Sequence, residues 1–189
     1  MRCPWSVGDV LYEKYHDEEW GVPVYDDKVH FEFLVLESAQ AGLSWRTILN
    51  KRGNYREAYD GFDYEKVSCY DEKKVAELLT NKGLVRNRKK IEASIVNAKV
   101  FKVIREEFGS FSTYIWRFVD NKPVLNYFKE SSEVPAITEL AERVSKDLRK
   151  RGMKFLGPTT IYAHLQATGI VNDHLITCPR HIEVQKFAR

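Results

Sequence analysis

Between Asp26 and Ala41 the chain sets apolar side chains at helical spacing on two faces at once. Phe31, Leu34, Val35 and Ser38 fall on one face, and Val29, Phe33 and Leu36 on the other. A helix with one apolar stripe lies on a surface, whereas one apolar on both faces is buried on both. The two acidic residues that open the segment suit a helix N-terminus, where backbone N–H groups are unpaired. Such a helix needs helical partners on either side, and the chain offers them. Apolar residues recur with helical period at Val75, Leu78 and Leu79, at Ile91, Ile95 and Ala98, and from Phe111 to Val119. Another helix is expected after the capping Thr138, with Leu140, Val144 and Leu148, ending at Gly152; a last one runs from Gly157-Pro158 to Gly169. Strand-like alternation is scarce, and Asp120 to Thr138, with Pro123 and Pro135, reads as a long connection. The expected fold class is all-α.

With 189 residues the chain is expected to be one unit. Its helical body covers roughly residues 26–170, and the terminal segments 1–25 and 170–189 are too short to pack alone. The net charge of +3 permits a polyanionic partner without demanding one, because basic residues must cluster to grip nucleic acid. No stretch approaches a membrane span, and the N-terminus has no apolar leader, so a soluble cytoplasmic monomer without a membrane partner is expected. Three cysteines, an odd number, argue against a disulfide scaffold.

Two of those cysteines have histidine companions. Cys3 and His16 lie near one end, His174 and Cys178 near the other. Two thiolates and two imidazoles make a closed tetrahedral zinc site with no position left for water, and such a site would staple both termini. The alternative is two small buried cysteines and two helix-end histidines. His30, His164, His181 and Cys69 have no companion at ligand spacing and read as structural or surface residues.

Glu37 shares the helix face of Phe33, so its carboxylate must lose water unless a partner such as a buried arginine meets it. If no protein partner exists, a ligand can be the partner: the N6 amine of adenine is a donor and a carboxylate accepts. Aromatic residues crowd the same end of the chain, namely Trp5, Tyr12, Tyr15, Trp20 and Trp45. They are either core or a stack of flat rings for a flat, cationic base. In Gln40-Ala41-Gly42-Leu43-Ser44-Trp45, glycine allows close backbone approach and Leu43 can act as an apolar wedge in a base stack; a plain helix end with a buried leucine is the alternative. Gly83-Leu84-Val85 joins two helices in a helix–hairpin–helix outline, with positive φ expected at Gly83. Lys82, Arg86, Arg88, Lys89 and Lys90 surround it, at a helix start suited to phosphate.

Four stretches carry a resemblance: Tyr15-His16-Asp17-x-Glu19-Trp20-Gly21-Val22-Pro23, Gln40 to Trp45, Lys150-Arg151-Gly152-x-Lys154-Phe155-x-Gly157, and Gly169-Ile170-Val171-Asn172-Asp173-His174. In order and spacing they resemble the 3-methyladenine DNA glycosylase I (Tag) family. The resemblance implies a helix–hairpin–helix glycosylase fold with one structural zinc, held by Cys3, His16, His174 and Cys178. It implies a base pocket of Glu37, Tyr12, Tyr15 and Trp45, with Glu37 as the one candidate for a chemical role. Leu43 and Gly42 would face the DNA, with Gly83, Arg86 and Lys89 as further DNA contacts. The implied activity is monofunctional: 3-methyladenine is flipped from alkylated double-stranded DNA and hydrolysed off, free base is released, and an abasic site remains. Ser38 and Ala39 depart from the glycine and glutamine expected of the family there, and Pro179-Arg180-His181 departs from a cysteine-rich ending. Two other readings stand beside this one, a metal-dependent hydrolase and a non-enzymatic, zinc-clipped DNA-binding module. The closed ligand set opposes the first, and a buried carboxylate among aromatics opposes the second.

Overall fold

Helix α2 (Asp27–Gln40) starts where the acidic pair predicts, because the Asp26 side chain accepts hydrogen bonds from the N–H groups of Lys28 and Val29. Every residue from His30 to Ala39 is buried, and α2 separates two cores. Phe31, Leu34, Val35, Leu36 and Ala39 face the larger core; Phe33 faces the smaller, with Val29 at its edge. Leu36 therefore lies with the first face and not beside Phe33. It sits at the border of the two stripes, and the larger core wraps more than half of the helix. Each such side chain contributes about 1.5–3 kcal/mol on full burial, so the two-faced pattern commits α2 to the interior. The computed structural model describes residues 1–188.

The expected helices complete the larger core: α6 (Arg88–Phe108), α7 (Phe111–Trp116) and α9 (Pro158–Ala167) pack on α2, while α5 (Glu72–Thr80) joins through α6 and α8 (Glu139–Lys150) through α9. Thr138 caps α8, accepting from the N–H of Ala141. Four helices escape the periodicity: α1 (Val10–Glu18), α3 (Trp45–Ala58), and the single turns α4 (Tyr64–Val67) and α10 (Arg180–Glu183). In α1 only Tyr15 and His16 are buried, and in α3 only Ile48, Leu49 and Tyr55, so their stripes are too narrow to read. The all-α expectation needs one correction. Val124–Leu125 pairs in parallel with Val171–Asn172, and this two-residue ladder anchors the long connection.

Two helix pairs are joined by short turns. Between α5 and α6, Gly83 does not have the expected positive φ. Its role is steric instead, since a Cβ there would come within 2.6 Å of the Asn54 Cγ on α3. The pair α8–α9 packs together more extensively than any other. Its turn holds Gly152 at φ 106° and Phe155 at φ 56°. Asn97 of α6 fastens that turn, donating to the Lys154 carbonyl at 2.9 Å and accepting from the Lys154 N–H at 2.7 Å.

His30 and His164 form a buried link between α2 and α9. His30 Nε2 donates to the Val24 carbonyl, so its Nδ1 accepts from His164 Nε2. Burial pushes both imidazoles down, His30 to about 4, which keeps the pair neutral. His181 donates from Nε2 to the Asn126 carbonyl, and Cys69 is exposed.

Candidate functional site

A cavity of about 380 Å³ opens where α1, the end of α2 and the start of α3 meet α9 and the segment before α8. Trp5, Tyr15, Trp20 and Trp45 line it, with Glu37, Gln40, Ser131, Gln166 and Asp173 as polar members. The aromatics brace one another: Trp5 meets Trp20 edge-on at 5.0 Å, and Tyr15 meets Trp45 at 5.6 Å. The volume and the mix of rings with few polar groups are those of a small-molecule pocket.

Glu37 is only 4% exposed. Among the described residues no hydrogen bond or ion pair reaches it, and loss of water alone pushes its carboxyl up to about 8. The arginines that could have met it are taken. Arg52 bridges Glu19 and Glu32 at 2.7 Å each, and Arg56 reaches Glu32 at 2.9 Å. Glu32 lies one face round α2 from Glu37, so the buried arginine expected as a structural partner went to the other carboxylate. A bare donor accompanies this bare acceptor, because the buried Trp45 Nε1 also makes no hydrogen bond. Tyr15 is fully enclosed, and burial first, then the Glu37 charge, raises its phenol well above the usual range.

Three of the four expected base-binding residues, Glu37, Tyr15 and Trp45, thus meet in one cavity. Tyr12 does not line it and instead packs edge-on behind Trp5 at 5.7 Å. Trp5, Trp20, Gln166 and Asp173 are among the other residues of the wall. Aromatic crowding points to the first two. Asp173 lies in the Gly169 to His174 stretch that carries the family resemblance, though nothing there marks it as a pocket residue, and nothing in the sequence points to Gln166. Asp173 is held by donors from Asn126, Tyr162 and Gln166.

The loop between α2 and α3 is built from local chemistry. Gly42 takes φ 80°, a left-handed conformation that side chains resist, and Ser44 caps α3 by accepting from the N–H of Thr47. Leu43, between them, is 42% exposed and belongs to neither core. On the basic side Arg86 and Lys89 are exposed and form no ion pair among the described residues. Arg88 is engaged by Glu72 and Glu92. Lys89 shares a shallow depression with Lys154 and Phe155 of the α8–α9 turn. Gly83, packed on Asn54, offers no side chain to such a surface.

Cys3, His16, His174 and Cys178 converge although 171 residues separate Cys3 from His174. All four are buried and their ligating atoms lie within 4.8 Å of one another. The sulfur–nitrogen distances are 3.7 Å for Cys3–His174, 3.6 Å for Cys178–His16 and 3.8 Å for Cys178–His174. Tetrahedral Zn–S and Zn–N bonds of about 2.3 and 2.0–2.1 Å require roughly 3.5 Å, so the set fits. Each imidazole also uses its outer nitrogen elsewhere. His16 Nδ1 donates to Asp17 at 2.8 Å, and His174 Nε2 to the Trp20 carbonyl at 2.9 Å, which leaves the inner nitrogens without a proton; that of His16 also accepts a long 3.4 Å contact from the Cys3 N–H. Gly21 makes room for this, since a Cβ there would lie 2.8 Å from His174 Nε2. Cys3 lines the aromatic cavity too, so the two sites share a wall.

The methyladenine glycosylase family model matches residues 5–181. The chain belongs to the methyladenine glycosylase family. It is 44% identical over 178 residues to the DNA-3-methyladenine glycosylase of Haemophilus influenzae, covering 94% of this chain and 96% of that protein. DNA-3-methyladenine glycosylase 1 of Escherichia coli K12 is 44% identical over 177 residues, covering 94% of this chain and 95% of its own length. A solved variant of 3-methyladenine DNA glycosylase I in complex with 3-methyladenine matches with a TM-score of 0.92 and 39% identity, covering 94% of this chain and 96% of that chain. The family match contains the whole aromatic pocket wall and three of the four cluster residues, with Cys3 just outside it. Of the positions departing from the family pattern, Ser38 is accommodated by donating from its hydroxyl to the Val35 carbonyl at 2.9 Å within α2.

Proposed function

We propose that this protein is a DNA-3-methyladenine glycosylase of base excision repair, which hydrolyses the bond between 3-methyladenine and deoxyribose in alkylated double-stranded DNA. The observation that carries the reading is the unpaired Glu37 carboxyl in the wall of an aromatic cavity. An empty pocket holds Glu37 protonated at neutral pH. A base methylated at N3 and still joined to sugar is cationic, and that charge favours the carboxylate, which then accepts from the N6 amine. Unmodified adenine brings no charge to offset the desolvation of Glu37, so the pocket discriminates by charge as well as shape. Rings of Trp5, Tyr15 and Trp45 hold the flat cation by its faces.

The chemistry then needs little acid. The cationic base leaves as a neutral molecule, taking the electrons of the C1′–N bond, and water adds to C1′ with loss of a proton to solvent. Glu37 orients the base and its positive charge through that step. Among the described residues no lysine lines the cavity, which fits release of the free base without a covalent intermediate.

Cys3, His16, His174 and Cys178 would hold one zinc ion, which supplies no Lewis acid to substrate because four protein ligands leave no open position. It would tie residues 1–25 and 170–189 to the helical body as one catalytic unit. Leu43 would fill the gap left by the flipped base. In place of the Gly83-Leu84-Val85 connection expected from the sequence, whose glycine lacks a positive φ, the α8–α9 turn with its left-handed Gly152 and Phe155 is our candidate for the helix–hairpin–helix element, gripping phosphates through Lys154 together with Lys89 and Arg86. We infer a monomer working in the cytoplasm; no helix among the described residues is long and apolar enough to cross a membrane. The test is incubation with methylated duplex DNA and chromatography of the products. Free 3-methyladenine and abasic sites are expected, and intact DNA or strand breaks without free base would refute the reading.

A further inference from the structure

Resting on that reading, we infer that Lys90 is a positioning residue for the Leu43 wedge, and not one of the phosphate contacts its basic neighbourhood suggests. Lys90 lies on the first turn of α6, but its ammonium points back at the end of α2. It donates to the Ala39 carbonyl at 2.9 Å and to the Ala41 carbonyl at 2.5 Å. A helix end leaves carbonyls without intrahelical partners, and a glycine-based cap usually satisfies them. Ala41 follows α2 at φ −44° and ψ 116°, which is not a left-handed cap. The Leu43 N–H serves only the Gln40 carbonyl, at 2.6 Å. Lys90 serves the carbonyls on either side of it, and its positive charge also suits the negative end of the helix dipole.

Ala39 and Ala41 bracket the point where the chain turns from the helix carrying Glu37 into the loop carrying Leu43. Fixing both carbonyls from α6 sets the exit direction of Gly42 and Leu43 relative to the pocket. The anchoring point is well chosen, because Lys89, the preceding residue of α6, shares a depression with Lys154. Lys90 thus fixes the distance between wedge and backbone grip through one side chain. Partial burial lowers its ammonium somewhat from the usual range, as a group committed to the protein and not to solvent should show.

The experiment is a double-mutant cycle of Lys90→Met and Leu43→Ala, read as single-turnover release of 3-methyladenine from methylated duplex. Lys90→Met should slow duplex turnover about tenfold or more, as misplacing a working group does. Affinity for free 3-methyladenine should stay within about twofold, and the slope of log affinity for DNA against log salt should not change. In the Leu43→Ala background the same substitution should add almost nothing. Additive losses, or a salt slope reduced by about one, would return Lys90 to the phosphate contacts and overturn the inference. A parallel loss of free-base affinity would overturn it too, by showing that Lys90 merely holds α2 together. Should the Met variant not fold, Lys90→Gln, shorter and uncharged, must show the same non-additivity with Leu43→Ala. If the wild type releases no 3-methyladenine, the proposed function fails; if it does and the cycle is additive, only the role of Lys90 fails.

Discussion

Replacing Glu37 by glutamine should stabilise the empty protein, and increasingly so as pH rises. In the folded state the carboxyl keeps its proton up to about pH 8, against 4.5 for an unhindered glutamate. Its pKa is raised by folding, so its contribution is fully present below the unfolded value and is lost as pH climbs through the folded one. Between those limits the unfolded chain gives up a proton that the native state retains. Each pH unit therefore favours unfolding by about 1.4 kcal/mol, which accumulates to about 3–4 kcal/mol at pH 7. Glutamine has the same shape and is just as unpaired, so the neutral part of the burial cost cancels between the two proteins. At about 2–4 °C per kcal/mol for a chain of this size, the variant should melt about 10 °C higher at pH 7 and nearly together with wild type at pH 4.5. Thermal unfolding of both proteins from pH 4.5 to 8, in the absence of base, measures this directly. A melting difference that stays flat across that range, or a variant less stable at pH 7, would refute the argument that Glu37 is desolvated and unpaired.

The same Glu37→Gln variant should bind methylated duplex, whose target base is cationic, more weakly by about 1–3 kcal/mol and lose activity in step, by binding titration and single-turnover release. Unchanged binding with collapsed release would make Glu37 a chemical participant instead. Leu43→Ala should weaken turnover of duplex substrate while leaving free-base affinity nearly intact, because the side chain is exposed and outside both cores. Equal losses for the two ligands would place it in the pocket's support. The purified protein should hold one zinc per chain by elemental analysis, and Cys178→Ser should loosen the C-terminus, seen as faster proteolysis there, more than it slows base release. A stable, active preparation without metal would sink the zinc assignment.

Local rules were sufficient for much of this molecule. The two-faced period of α2 and the Asp26 and Thr138 caps are decided within a few residues, so they are legible without tertiary structure. The chemical nature of the Cys3, His16, His174 and Cys178 set is legible too, because ligand type is carried by the residue itself. Narrow helices such as α1 and α3 are not, since their burial depends on what packs over a mostly polar surface. Gly83 shows the same limit: its lack of a side chain serves Asn54, thirty residues away in sequence, and not its own backbone angle. The decisive case is the pair of carboxylates on α2. Glu32 and Glu37 have equal claims on a buried arginine as sequence, and only the placement of α3 gives Arg52 and Arg56 to Glu32. Lys90 is likewise indistinguishable from its basic neighbours in sequence, and only the fold aims it at the carbonyls of Ala39 and Ala41. Which polar group stays unpaired is settled by three-dimensional proximity, because hydrogen bonds and ion pairs act over a few ångströms regardless of distance along the chain.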